Sequence, residues 1–133
     1  MLGTLLDLVD VDPGWEPAFE AAAGEALAAV VVDGVDAGRA AIEALSGDGL
    51  TGAVLPLRPV TAPPAVVGGE PVRRHVRAAG GRAEVDGILD VLLGAAVAVD
   101  GGPIAAIDVA IANPTALVVT RDGDRFSPGG WRI

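Results

Sequence analysis

A mixed α/β (α+β) fold of two pseudo-repeated subdomains is predicted from three features of this 133-residue chain. Stretches with helical apolar spacing alternate with short Val-, Ile- and Ala-rich runs of strand character. The same order of segments occurs twice, and a Pro-, Gly- and Arg-rich stretch separates the two occurrences. The chain thus divides into a first subdomain at residues 1–57, a connector at 58–82 and a second subdomain at 83–133. A compact domain of this size buries about two thirds of its unfolded surface.

Thr4 to Val11 mixes branched apolar residues with Asp at near-alternating positions, which predicts a half-buried strand, and Asp12-Pro13-Gly14-Trp15 turns the chain. From Glu16, the residues Phe19, Ala22, Ala23, Ala26 and Leu27 fall on one helical face, with Gly24 set to weaken or end the helix. Ala29 to Val32 reads as a strand, Asp36 as the N-cap of a helix carrying Ala41, Ile42 and Leu45, and Gly52 to Leu57 as a further strand. The connector holds Pro59, Pro63, Pro64 and Pro71 and two Gly pairs, too many breaks for long regular structure. Val85, Ile88, Leu89, Leu92 and Leu93 then form the cleanest helical stripe, with Gly94 at its end. Ala95 to Val99 is a strand, Pro103 opens a helix on which Ile104, Ile107 and Ile111 share a face, and Asn113-Pro114 stops it. Ala116 to Thr120 is a strand, Asp122-Gly123 a hairpin turn, and Asp124 to Ser127 the antiparallel return before Pro128-Gly129-Gly130.

The echo between the halves is amphipathic helix, Gly24 or Gly94, apolar strand, Asp33 or Asp100, Ala-rich helix, apolar strand. A period near 70 residues with two copies suits a pair of related subdomains better than a solenoid, though convergent αβ packing gives the same order.

Composition narrows the chemistry. Apolar residues make up 51%, yet Trp15, Phe19, Phe126 and Trp131 are the only aromatics, so small aliphatic side chains must build the core by close backbone packing. The chain has no Cys, which removes disulfides, thiol nucleophiles and Cys-based zinc sites and sets an intracellular expectation. All nine basic residues are Arg, so Schiff-base chemistry and phosphate-loop lysines are excluded. The longest uncharged stretch, Val109 to Thr120, is 12 residues, short of a membrane span, and Asp7 interrupts the early apolar run, against a secretory signal. A net charge of −9 works against nucleic-acid binding by the molecule as a whole. The one basic stretch is central: residues 58–82 hold five Arg and one Glu.

Several segments carry a family resemblance. LLDLVDVDPGWEPAFEAAAGEALAAVVVDG, GAVLPL at 52–57, LLG at 92–94 and VVTRDGDRFSPGGW at the end resemble, in wording and order, the hinge domain of SMC chromosome-maintenance ATPases, above all those of high-GC, actinobacterial-type bacteria. Order and spacing carry the inference, since DGD or PGG alone occurs in many turns. The resemblance implies a hinge fold that homodimerises, each first subdomain meeting the partner's second, and that joins two coiled-coil arms opposite the ATPase heads. ATP and Mg would belong to those heads, with no cofactor in this domain and no catalysis by it. A cytoplasmic, nucleoid-associated setting in chromosome condensation and segregation, kleisin-type subunits in the parent complex and no membrane contact follow from the same resemblance. Two departures stand out: family members often carry a further Gly pair after the PxG segment, whereas this sequence ends at Ile133, and the arms and heads are absent, as for a hinge expressed alone with Met1 as an added start.

Pro128-Gly129-Gly130 reads either as a plain turn or, by the resemblance, as the place where two backbones meet without an intervening Cβ. On the second reading the dimer contact comprises Gly129 and Gly130 with Asp124, Arg125 and Phe126 as an edge strand beside them. Arg73, Arg74, Arg77 and Arg82 read either as a patch for weak DNA contact or as solvated charge balancing an acidic chain; no aromatic accompanies them for base stacking. His75, the only His, has no acid nearer in sequence than Glu70, so no metal site is expected. Asp10, Asp12, Asp122 and Asp124 sit in predicted turns, where Asp bonds the backbone, so no acid/base role is assigned to them. The rival to a dimerising hinge is a small-molecule-binding regulatory α/β domain whose acidic turns face a ligand.

Overall fold

The computed structural model describes residues 2–58, 66 and 68–133. The first half runs β1 (Gly3–Thr4), β2 (Val9–Val11), α1 (Glu16–Ala23), β3 (Val30–Val32), α2 (Val35–Gly47) and β4 (Val54–Pro56). After β5 (Glu70–Pro71) and β6 (Val76–Ala78) come α3 (Ala83–Leu93), β7 (Ala96–Val99), α4 (Gly102–Ala112), β8 (Leu117–Thr120), β9 (Arg125–Ser127) and β10 (Gly130–Arg132). Among the described residues no helix is long and apolar enough to cross a membrane.

Each half contains one parallel βαβ unit. β3 pairs with β4 across α2, and β7 pairs with β8 across α4. Around these units lie a three-stranded sheet ordered β1-β3-β4, a five-stranded sheet ordered β10-β9-β8-β7-β5, and a two-stranded ribbon of β2 and β6. The segment between residues 68 and 82 is woven into both halves, because β6 pairs with β2 and β5 pairs with β7. One core crosses the whole chain, with Leu5, Phe19 and Val31 packed in the same cluster as Val85, Leu89, Leu93 and Val119. Four buried alanines of α1, Ala18, Ala21, Ala22 and Ala23, let that helix approach β8 closely, as a core short of aromatics requires.

Two element boundaries depart from the sequence reading. The strand expected from Thr4 to Val11 is divided by a 3-10 turn at Leu6–Leu8, because the Asp7 carboxylate accepts hydrogen bonds from the Thr4 N–H at 3.1 Å and the Thr4 hydroxyl at 3.0 Å. A short polar side chain competes here with the strand ladder, and the two pieces join different sheets. Helix α2 begins two residues early: Gly34 is its N-cap, and Asp36 lies within the first turn, where its charge faces the free N–H groups. On α4, Ile104 and Ile111 of the predicted stripe lie exposed, and the buried residue of that helix is Ala106.

Candidate dimerisation surface

The last two strands form a hairpin on the edge of the five-stranded sheet. Asp124 builds the turn before it: its carboxylate accepts from the Thr120 hydroxyl at 2.8 Å, and its N–H donates to that hydroxyl at 3.1 Å. Arg125 reaches across to the first half, donating from Nη1 to the Ala21 carbonyl at 2.9 Å. Phe126 is 1% exposed and packs with Val97, Ala106, Ala116 and Val118 beneath α4.

The structure therefore separates the five residues singled out in the sequence. Asp124, Arg125 and Phe126 are turned inward and brace the hairpin, whereas Gly129 and Gly130 are exposed. The edge strand expected at Asp124 to Phe126 is not an edge: β9 pairs with β8 on one side and with β10 on the other. The open backbone belongs to β10, where Gly130, Trp131 and Arg132 are all exposed. Sequence reasoning stopped at the Pro-Gly turn and missed this strand. The available signal was Trp131, a large aromatic directly across from Phe126, with ring centroids 6.0 Å apart and planes at 64°.

Among the described residues β1 and β4 are the outer strands of the first half's sheet. Beside β4, Val35 and Ile42 of α2 with Val54 and Pro56 of β4 line an apolar notch of about 300 Å³, flanked by Arg39 and Glu43. Val35 and Ile42 are half exposed, two β-branched residues seven apart on one helix face.

The four arginines singled out in the sequence, Arg73, Arg74, Arg77 and Arg82, are each ion-paired. Arg73 meets Asp86 at 3.1 Å and Asp90 at 2.9 Å, Arg74 meets Glu70 at 3.5 Å, and Arg77 meets Asp12. Arg82 lies between Asp33 at 3.7 Å and Glu84 at 3.5 Å. His75, without acids adjacent in sequence, faces two in space: Asp12 Oδ2 lies 3.0 Å from Nδ1 and Glu70 Oε1 3.3 Å from Nε2. Among the described residues no group of three or more His, Cys, Asp or Glu side chains is placed to hold a metal ion.

The arrangement matches known proteins over most of its length. A family model described as the SMC proteins Flexible Hinge Domain matches residues 1–106. The crystal structure of an asymmetric dimer of the Geobacillus stearothermophilus SMC hinge domain is 28% identical with a TM-score of 0.75, the match covering 98% of this chain and 57% of that one. The Pyrococcus furiosus SMC protein hinge domain is 25% identical with a TM-score of 0.70, over 98% of this chain and 70% of that one. A structure described as the folded elbow of cohesin shares the fold at 19% identity and a TM-score of 0.71, over 98% of this chain and 19% of that one. No curated protein sequence matches. Strands β8 to β10 lie beyond the family match.

Proposed function

This chain belongs to the family of SMC flexible hinge domains, and on that premise we propose that it pairs with a second copy of itself to join the two coiled-coil arms of a chromosome-maintenance ATPase. The observation that carries the reading is β10, an exposed strand led by glycine at the open edge of a sheet. An open edge of this kind is a template for a strand of another chain. The contact takes in Gly129 and Gly130, braced from within by Asp124, Arg125 and Phe126. Where β10 of each copy meets the first half of the other, a two-fold pair makes two contacts and closes on itself. The Geobacillus stearothermophilus relative, whose structure is an asymmetric dimer, supports pairing as the mode of action.

The hinge itself is a dimerisation domain of its family, not a catalyst. In the parent protein, ATP with magnesium is bound and hydrolysed in the heads, kleisin-type subunits join the complex, and the assembly works on the nucleoid in condensing and segregating chromosomes. Weak DNA contact falls to Arg74 and Arg77, the more exposed of the four arginines.

One feature favours a small-molecule reading: an apolar groove of about 480 Å³ between α2 and β3, lined by Val30, Val32, Ala41, Leu45 and Leu50. A ligand there raises the melting temperature of a chain that stays monomeric. Light scattering coupled to size exclusion separates the two readings. Pairing gives twice the monomer mass at micromolar concentration, and a stable monomer overturns it.

A further inference from the structure

Beyond the pairing proposed above, and without resting on it, we infer that the groove between α2 and β3 receives an extended apolar peptide segment of a partner protein. The second half holds a segment of this kind in the corresponding place. In each half, alternate residues of the central strand face the crossover helix. Val30 and Val32 line the groove beside α2, and Val97 and Val99 belong to the cluster beneath α4. The residues between them, Val31 and Ala98, point into the core that both halves share. On each helix one residue is buried, Gly38 on α2 and Ala106 on α4. Setting these two in register puts Ala41 in the place of Val109, and Leu45 in the place of Asn113.

In the second half the chain leading into β5 passes between α4 and β7. A Cβ on Gly68 would touch Val109 at 3.6 Å and the Asn113 amide at 3.9 Å, and one on Gly69 would stand 2.9 Å from the Val97 side chain. Val66, just before, packs on the same apolar cluster. In the first half the corresponding space is the open groove of about 480 Å³, with Ala41 and Leu45 on its helix wall and Leu50, 61% exposed, at its rim. Ala is smaller than Val and Leu less polar than Asn, so this groove is wider and more apolar than its filled counterpart. It therefore has room for a small apolar side chain where the second half presents Gly68. Charge narrows the occupant further. Residues 30–54 carry Asp33, Asp36, Glu43 and Asp48 against Arg39 alone. Asp48 borders the groove, has no ion pair among the described residues, and follows a helix whose last turn holds no basic residue. A cation beside the apolar run would meet both that carboxylate and the carbonyl end of α2. The occupant is thus an extended run of Val, Ala and Gly bordered by Arg or Lys.

The test titrates the full chain, labelled with nitrogen-15, with the synthetic peptide acetyl-RVVAGR-amide and follows the amide resonances. Saturable shifts should centre on Val30, Ala41, Leu45 and Leu50. Ala41→Leu fills the groove from a half-buried position and should weaken binding at least about tenfold, the loss typical of a blocked anchor pocket. Ala44→Leu, at an exposed position on the same wall, serves as the second filling variant if the first does not fold. Asp48→Asn should weaken binding severalfold at low salt and little at high salt. No saturable shift up to millimolar peptide, shifts centred away from the groove, or filling variants that bind as the wild type does would each overturn the inference. Groove resonances that shift when the chain alone is diluted would assign the groove to a second copy. Groove shifts produced by octanol and not by the peptide would assign it to a small apolar molecule. Either result also overturns the peptide as occupant, and neither bears on whether β10 serves in pairing.

Discussion

The indole of Trp15 and the imidazole of His75 lie face to face, their ring centroids 3.6 Å apart and their planes 3° from parallel. The guanidinium of Arg121 sits 4.2 Å from the centre of the Trp15 ring and donates to the Gly14 carbonyl at 3.0 Å. Three distant segments meet in this stack: the turn after β2, the short helical turn between β5 and β6, and the loop after β8. Stacked and cation–π contacts add to the burial of the rings themselves. His75→Ala should therefore destabilise the fold by about 1–2 kcal/mol, lowering the melting temperature by roughly 3–5 °C per kcal/mol. His75→Phe, which keeps the stacking surface and loses only the contacts to Asp12 and Glu70, should cost less. Thermal denaturation followed by circular dichroism decides the matter. An alanine variant that melts like the wild type would show that the stack holds nothing.

Gly24 and Arg125 are tied more tightly than their separation in sequence suggests. Gly24 has φ +56, and a Cβ there would stand 2.8 Å from Arg125 Nη1, the atom that donates to Ala21. Gly24→Ala should cost about 1–3 kcal/mol, from the strained backbone together with displacement of the guanidinium. The two parts can be separated by a double-mutant cycle in chemical denaturation. If the clash contributes, Gly24→Ala combined with Arg125→Ala costs less than the two single changes added together, and strict additivity leaves backbone strain as the whole effect.

What was legible in the sequence was whatever depends on neighbours along the chain. The apolar stripe from Val85 to Leu93, the break at Gly24 and the Asp122-Gly123 turn each express local periodicity or backbone preference, and each element stands where expected. The repeat of strand, helix and strand was readable for the same reason. What escaped notice depends on residues brought together from far apart. Asp12 lies 63 residues from His75, and no spacing rule connects them. β10 forms because Trp131 finds Phe126 across the hairpin, whereas the Pro-Gly pair before it reads as the end of structure. The split after Thr4 was hidden for a different reason: alternation predicts a strand, and one Asp side chain overrides it.

The central arginines should divide into one structural residue and three that are more open to solvent. Arg73 is 26% exposed on its side chain and donates to Asp90, to Asp86 and to the Val76 carbonyl, the last at 2.6 Å. Asp86 in turn accepts from the Ala78 N–H at 3.0 Å, so this pair fastens α3 to β6. Arg73→Ala should lower stability by about 1–3 kcal/mol through the partners it leaves behind. Arg74 and Arg77, 69% and 53% exposed, should exchange their ion pairs with Glu70 and Asp12 for a phosphate at the least cost. Fluorescence anisotropy with duplex DNA at several salt concentrations should give a log–log slope near −2, the value for roughly two phosphate contacts. That slope should vanish in Arg74→Ala/Arg77→Ala and persist in Arg73→Ala. A slope near −4, or one lost with Arg73 alone, would mean that the whole group faces DNA.

Gly129 and Gly130 are adjacent, and they should answer to different measurements. A Cβ on Gly129 would meet only Ser127 Oγ, at 3.8 Å, so the monomer has room for a side chain there. Gly130 has φ +141 and opens β10, a backbone conformation that L side chains rarely adopt. Gly130→Ala should therefore lower the melting temperature, by an amount equivalent to about 1–3 kcal/mol, whatever the chain pairs with. Gly129→Leu should leave the melting temperature of the dilute monomer unchanged, and on the proposed pairing it should weaken the dimer, since a second backbone would then come close to that residue. Light scattering beside thermal denaturation reads both effects on the same samples. If Gly129→Leu dimerises as the wild type does, the two backbones do not meet at that residue, and the contact must lie further along β10, at Trp131 and beyond.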